Sequence, residues 1–209
     1  MSNIEYWKKG DSKVLSVDGI NGYPVIREMS ENQKKEIDNH SLDFINDQLF
    51  MHYWADDIEH NEEDPVWQNT SLYFWKAEEP FPNKALPPTF ENFEKRFFVL
   101  NKTITIEVSL ATPWFDQPGL GEKHVAVIDH EMIPLLDLYR ANVINYVEVI
   151  ETLYSKYLSD SKYGFLVDQR IVSLENSKLY LDGQDIPYHI AYSIGGIHLV
   201  KVESNTNIV

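Results

Sequence analysis

The run TITIEVSLATPWFDQPGLGEKHV, Thr103 to Val125, constrains this chain more than any other stretch. Thr103, Thr105 and Glu107 alternate with Ile104, Ile106 and Val108, the period of two that marks a half-buried strand. Pro113 has no amide hydrogen for a sheet ladder, so the strand is predicted to end just before it, with Trp114 and Phe115 packing at its carboxyl end. Pro118-Gly119 is a turn dipeptide, since proline pre-sets φ at the first corner and glycine accepts the positive φ of a type II turn at the second. The chain is therefore predicted to reverse between Gln117 and Gly121, and HVAVI (124–128) to return as a strand. Gln117 stands at the corner between them.

Around this hairpin the chain reads as α+β, with a central antiparallel or mixed sheet, a long N-terminal helix and a C-terminal run of β-hairpins. Gly19 and Gly22 mark corners among short strands. Ser30 with Gln33 fits a capping box, and Ile37, Phe44, Ile45 and Leu49 follow at helical spacing, predicting a helix to about His52. The acidic run DDIEHNEED (56–64) reads as a solvated loop, His60 included. Prolines 80, 82, 87 and 88 argue for a strand and then an extended loop over Trp67 to Pro88. A short helix at IPLLDLY and a strand from Val143 to Val149 come next. Asp182-Gly183 and Gly195-Gly196 are the turn signals of the C-terminal hairpins. At 209 residues the chain holds one well-stocked core, divided as an N-terminal segment (1–63), a core (64–150) and an extension (151–209) within one compact unit.

Composition excludes several classes. There is no cysteine, hence no disulfide, thiolate metal site or cysteine nucleophile. The net charge is −15, from 33 acidic and 18 basic residues, which disfavours nucleic-acid phosphates and anionic lipid and favours a basic partner. No apolar run reaches the roughly 20 residues of a membrane span. The opening residues lack a signal-peptide core, so a cytoplasmic protein, or one exported without a classical signal peptide, is expected. HExxH, GxSxG, GxxxxGK[ST] and GxGxxG are all missing. His124, in a strand, reads as a half-buried residue rather than a base.

Two stretches carry a resemblance: PFPNKALPP, Pro80 to Pro88, and TPWFDQPGLGEKHV, Thr112 to Val125, followed by IPLLDLY. In this order they resemble the tuberculosis necrotizing toxin family of NAD glycohydrolase domains over about residues 64–150. The resemblance implies release of nicotinamide from NAD or NADP, each a substrate and not a bound cofactor, and no metal. It implies Gln117 as the catalytic amide, and Tyr73, Lys84, Trp114, Phe115, Gly119 and Gly121 as substrate-binding residues. Cleaving the nicotinamide–ribose bond passes through an oxocarbenium-like centre, so the site must hold phosphates, stack rings and orient the carboxamide. A glutamine suits the last task, having both a donor and an acceptor.

Two departures bear on activity. Pro65 stands where the family places a phosphate-binding arginine, and Lys84 replaces a second arginine and loses its planar fork. Arg96 or Arg140 would have to supply the missing cation. Three readings stay open: a glycohydrolase, active or degenerate; an acidic, non-catalytic immunity protein or inhibitor that captures a basic toxin; and a structural accessory protein in which PWFDQPGLG is a packed turn.

Overall fold

The computed structural model describes residues 27–39, 43–56, 58–150 and 152–203. The glycine corners at Gly19 and Gly22 lie outside the described residues. Along the chain come α1 (Glu31–Asn39), β1 (Phe44–Ile45), β2 (Phe50–Trp54), α2 (Pro65–Ser71), β3 (Tyr73–Lys76), α3 (Phe81–Lys84) and a 3-10 turn (Pro88–Asn92). Then follow β4 (Glu94–Leu100), β5 (Thr105–Leu110), β6 (Glu122–Ile128), β7 (Glu131–Met132), α4 (Leu135–Arg140) and β8 (Ile144–Val149). Last are a 3-10 turn (Ser155–Tyr157), β9 (Tyr163–Val167), β10 (Ser173–Glu175), β11 (Lys178–Leu181), β12 (Gln184–Ile186), α5 (Tyr188–Ser193) and β13 (Ile197–Glu203). The α+β expectation holds.

The chain divides into two units, one built on residues 48–147 and the other on residues 148–202 with the described residues before 48. In the first, an antiparallel sheet runs in the order β8-β4-β2-β3-β6-β5, with β7 on β6. Alternation along the strands sorts its two faces. Phe50, Phe74, Phe98 and Ala126 point one way and pack with Leu135 and Leu138 of α4. Met51, Tyr53 and Trp75 point the other way and pack under Phe81, Leu86 and Phe90. At about 25 cal/mol per Å² of buried apolar area, these aromatic-rich faces are the main stabilising term of the unit.

β2 and β3 pair only at Phe50↔Lys76 and Met51↔Trp75. Beyond that point α2 takes up the hydrogen bonding. The Nδ1 of His52 faces the carbonyls of Tyr53 at 3.0 Å and Thr70 at 3.3 Å and donates to them, leaving Nε2 to accept from the Tyr146 hydroxyl at 3.1 Å.

In the second unit β1 lies parallel to β9, and β9 antiparallel to β13; β10, β11 and β12 form a separate antiparallel sheet. Asp38 of α1 accepts from the backbone N–H of His189 at 3.0 Å and meets its ring Nδ1 at 2.6 Å, tying α1 to α5. Arg27 is buried, donating to the carbonyls of Tyr192 and Ile197 and meeting Nδ1 of His198 at 2.7 Å.

Three sequence expectations are corrected. The capping box forms, with Ser30 N–H donating to Gln33 Oε1 at 3.0 Å, but the helix it starts ends at Asn39. Phe44 and Ile45 pair as a strand, and FMHYW forms β2, because a two-residue alternation of large rings suits a pleated surface better than a helix face. The proline-rich stretch holds helical turns: Pro65 and Pro82 sit in first turns, where a missing amide hydrogen costs nothing, and the Asp64 side chain caps α2 by accepting from Val66 N–H at 2.9 Å. Gly195-Gly196 joins α5 to β13 instead of closing a hairpin, Gly195 taking φ +78° at the helix end. Asp182-Gly183 does close one, between β11 and β12.

Candidate functional site

Residues 111–121 form the loop of the β5–β6 hairpin. Ala111 N–H donates to Gly121 O at 2.9 Å and Leu120 N–H to Ala111 O at 2.8 Å, closing its neck. The loop sits on α3 through two more backbone bonds, Gly119 N–H to Pro82 O at 3.2 Å and Gly121 N–H to Asn83 O at 2.9 Å. A Cβ on Gly119 would stand 2.7 Å from Ala111 O, and one on Gly121 2.8 Å from Asn83 O. Both glycines are thus needed where backbone meets backbone, and Gly119 also carries φ +62°. Their amides are already engaged by α3.

The reversal is tighter than the sequence suggests. Phe115 and Asp116 take φ of 52° and 56°, and Gln117 N–H donates to Trp114 O at 2.9 Å, so one turn spans Trp114–Gln117 and a second bend follows at Gly119 and Leu120. This holds Trp114 and Phe115 outward, 67% and 42% exposed, with their rings stacked at 5.5 Å and 21°. The expectation that they plug the end of the strand is corrected: left-handed backbone at Phe115 and Asp116 turns both rings away from the core.

Gln117 is half-buried. Its Nε2 donates to Leu86 O at 2.9 Å, and its Oε1 is buried with no hydrogen-bond partner. It therefore reaches the segment after α3 that packs, through Leu86, on the sheet face carrying Trp75. Lys84 ends α3 at 2% exposure, with Nζ donating to Glu79 O, which engages it in holding the turn under the loop. Tyr73 lies on β3, directly opposite Val125 of β6, and its ring is covered by Lys123 Nζ at 4.1 Å. Burial pushes the Lys123 ammonium below its ordinary pKa. No acidic side chain lies within ion-pair distance of Lys123 among the described residues, so this is the cation that the sequence reading passed over. The alternation of β6 could have found it: Lys123 and Val125 share a face.

His124 points to the opposite face. It is buried, stacked on Phe74 at 5.5 Å, and burial lowers its pKa. An imidazole packed between Phe50 and Phe74 is a core residue, more deeply buried than the half-buried position expected from the sequence.

Arg96 and Arg140, the arginines named as replacements, are engaged elsewhere, Arg96 with Glu94 and Trp54 and Arg140 with Asp137. Arg140 lines a cavity of about 350 Å³ at the end of β2, walled by α2 and α4, and Arg96 reaches that cavity only through the Trp54 ring in its wall. Its lining includes His52, Trp54, His60, Trp67, Asp137 and Arg140. His52 and Trp54 alternate with Tyr53 along β2, so the cavity belongs to the opposite sheet face from the Gln117–Leu86 contact. The Arg96 guanidinium lies 3.6 Å over the Trp54 ring, and Arg140 Nη1 meets Asp137 Oδ1 at 3.1 Å. His60, expected as a solvated loop residue, is exposed as expected, but its ring packs on Trp67 at 4.5 Å.

Residues 67–158 match the family model described as Tuberculosis necrotizing toxin. This is a divergent necrotizing-toxin-like segment, and it takes in the whole hairpin loop, α3 and α4. Among solved structures, the chain is similar to tuberculosis necrotizing toxin complexed with its immunity factor IFT, at 20% identity and a TM-score of 0.35 over 46% of each chain. The chain thus spans under half the length of that relative. No curated protein matches.

Proposed function

We propose that this chain carries an NAD(P) glycohydrolase-like toxin domain with its site at the hairpin loop. The observation that supports this reading most is the family match across a loop that presents two exposed, stacked rings beside Gln117. In the proposed site Trp114 and Phe115 stack on the nicotinamide or adenine ring. The Gln117 amide, fixed on one side by Leu86 O, keeps a buried, unsatisfied Oε1 that accepts from the carboxamide N–H once the loop shifts to admit the substrate. Lys123 supplies the phosphate cation that Pro65 lacks and that the buried Lys84 is poorly placed to give. As the nicotinamide–ribose bond breaks, its electron pair leaves with the neutral nicotinamide, and water adds to the oxocarbenium carbon and gives up a proton to solvent. A point-charge lysine clamps a pyrophosphate less well than an arginine fork, so turnover is slow. Incubation of the purified chain with NAD and with NADP, followed by chromatography for free nicotinamide, tests this; no release above a Gln117→Ala control would overturn it.

A second reading is favoured by a different observation. β5 is the edge of its sheet, and Val108, Leu110, Trp114, Phe115 and Leu120 expose large apolar side chains along it and its loop. On a molecule of net charge −15, that strip suits capture of a basic protein, as an immunity protein or inhibitor would require. Association with a basic protein that survives loss of NAD hydrolysis but not Trp114→Ser would support it.

A further inference from the structure

We propose that the cavity at the end of β2, between α2 and α4, binds an uncharged nucleoside. The proposal does not rest on the glycohydrolase reading, because the cavity lies on the opposite face of the sheet from Gln117. Its volume of about 350 Å³ falls at the lower end of the roughly 300–1,000 Å³ of small-molecule sites. That is room for a base and its sugar.

The walls state what kind of ring and what kind of rim. The Trp54 and His60 rings supply flat surface, and each is held in place: the Trp54 indole N–H donates to Asp56 Oδ1 at 3.0 Å, and the His60 ring packs on buried Trp67 at 4.5 Å. Rings fixed in this way stack on a planar heterocycle at little entropic cost. The polar rim offers acceptors, the Asp56 and Asp137 carboxylates, to match the paired hydroxyl donors of a ribose.

The same rim argues against a phosphate. Arg140 is paired with Asp137, and Arg96, which is not among the lining residues, is held over the Trp54 ring with its Nε on Glu94 at 2.8 Å. His52 is neutral, since burial lowers its pKa to about 4. A phosphorylated ligand would bring its charge to two carboxylates on a molecule of net charge −15.

The test is titration of the full chain with adenosine, uridine and their 5′-monophosphates, read by tryptophan fluorescence and by amide chemical shifts of α2 and α4. At least one nucleoside is expected to bind at millimolar concentration or below, with its monophosphate at least about tenfold weaker. Trp54→Leu and His60→Ala are each expected to weaken the nucleoside by about fivefold or more, by loss of a stacking surface. His60 is largely exposed, so its variant keeps the test valid if Trp54→Leu does not fold. Absence of binding by either nucleoside, a monophosphate that binds as well as its nucleoside, or full affinity in His60→Ala would each overturn the proposal. Release of nicotinamide from NAD, or its failure, bears on the hairpin loop and leaves this outcome untouched.

Discussion

Gln117 gives its side-chain N–H to the carbonyl of Leu86 at 2.9 Å while its own oxygen lies buried without a partner. One half of the amide holds the loop to the chain after α3, and the other half is a buried acceptor left unsatisfied. Gln117→Ala is therefore expected to cost about 1 kcal/mol, the ordinary contribution of one hydrogen bond, and to remove nicotinamide release entirely. Thermal melting together with the NAD assay checks both parts. Loss of the fold with no separate effect on activity would make Gln117 structural alone.

Gly121→Ala is expected to be worse for the fold than Gln117→Ala, although it adds one methyl group. The new Cβ would stand 2.8 Å from Asn83 O, which accepts the Gly121 N–H, so neither backbone can yield without breaking the bond that seats the loop. Destabilisation on the order of 2 kcal/mol is expected, with faster hydrogen exchange at Gly119 and Gly121. An unchanged melting temperature would show that the loop seats elsewhere.

The hairpin was legible because its signals are local. Alternation gave β5, HVAVI gave β6, and Pro118-Gly119 marked a bend where Gly119 does take positive φ. The outward turn of Trp114 and Phe115 was hidden, since left-handed backbone is tolerated by Asp116 but runs against the preference of a bulky residue such as Phe115. The helix expected through Phe44 to His52 failed for a related reason. Phe50 and Met51 are buried in a sheet by partners 24 to 48 residues further on, Trp75 and Lys76 on β3, Phe97 and Phe98 on β4, and spacing within one segment carries no record of them. The burial of Lys84 and the placing of Lys123 over Tyr73 likewise depend on which strand faces which helix.

Acid sensitivity follows from His52, whose pKa burial lowers from 6.5 to about 4, with nearby Arg96 pushing the same way and Glu94 and the carbonyls of Thr70 and Tyr53 opposing. Between those two values the unfolded chain binds a proton on this residue and the folded chain does not. Its contribution is thus complete above about pH 6.5 and declines as the pH falls towards 4, by up to about 3 kcal/mol. Buried His124 and His198 are lowered too and add in the same direction. Melting temperature against pH, for the parent chain and His52→Gln, should show a shallower decline in the variant over this window. Parallel curves would remove His52 as a cause.

Lys84 and Lys123 should separate cleanly when each is changed to methionine, which keeps the aliphatic stem and deletes the charge. Lys84 is 2% exposed at the end of α3 and donates to Glu79 O, so Lys84→Met leaves a part-buried carbonyl without its donor. A loss on the order of 1–3 kcal/mol of stability is expected, the range for an unsatisfied buried group. Lys123 is half-buried over the Tyr73 ring, and a methionine there keeps the ring contact while losing a cation–π attraction of about 0.5–1 kcal/mol. Lys123→Met should therefore fold nearly as well as the parent but lose affinity for NAD, about tenfold for one charge-assisted bond to phosphate. Calorimetric titration with NAD and thermal melting on both variants make the comparison. If Lys84→Met loses NAD while holding its melting temperature, and Lys123→Met does neither, the phosphate cation is Lys84 and the proposed site must be redrawn around α3.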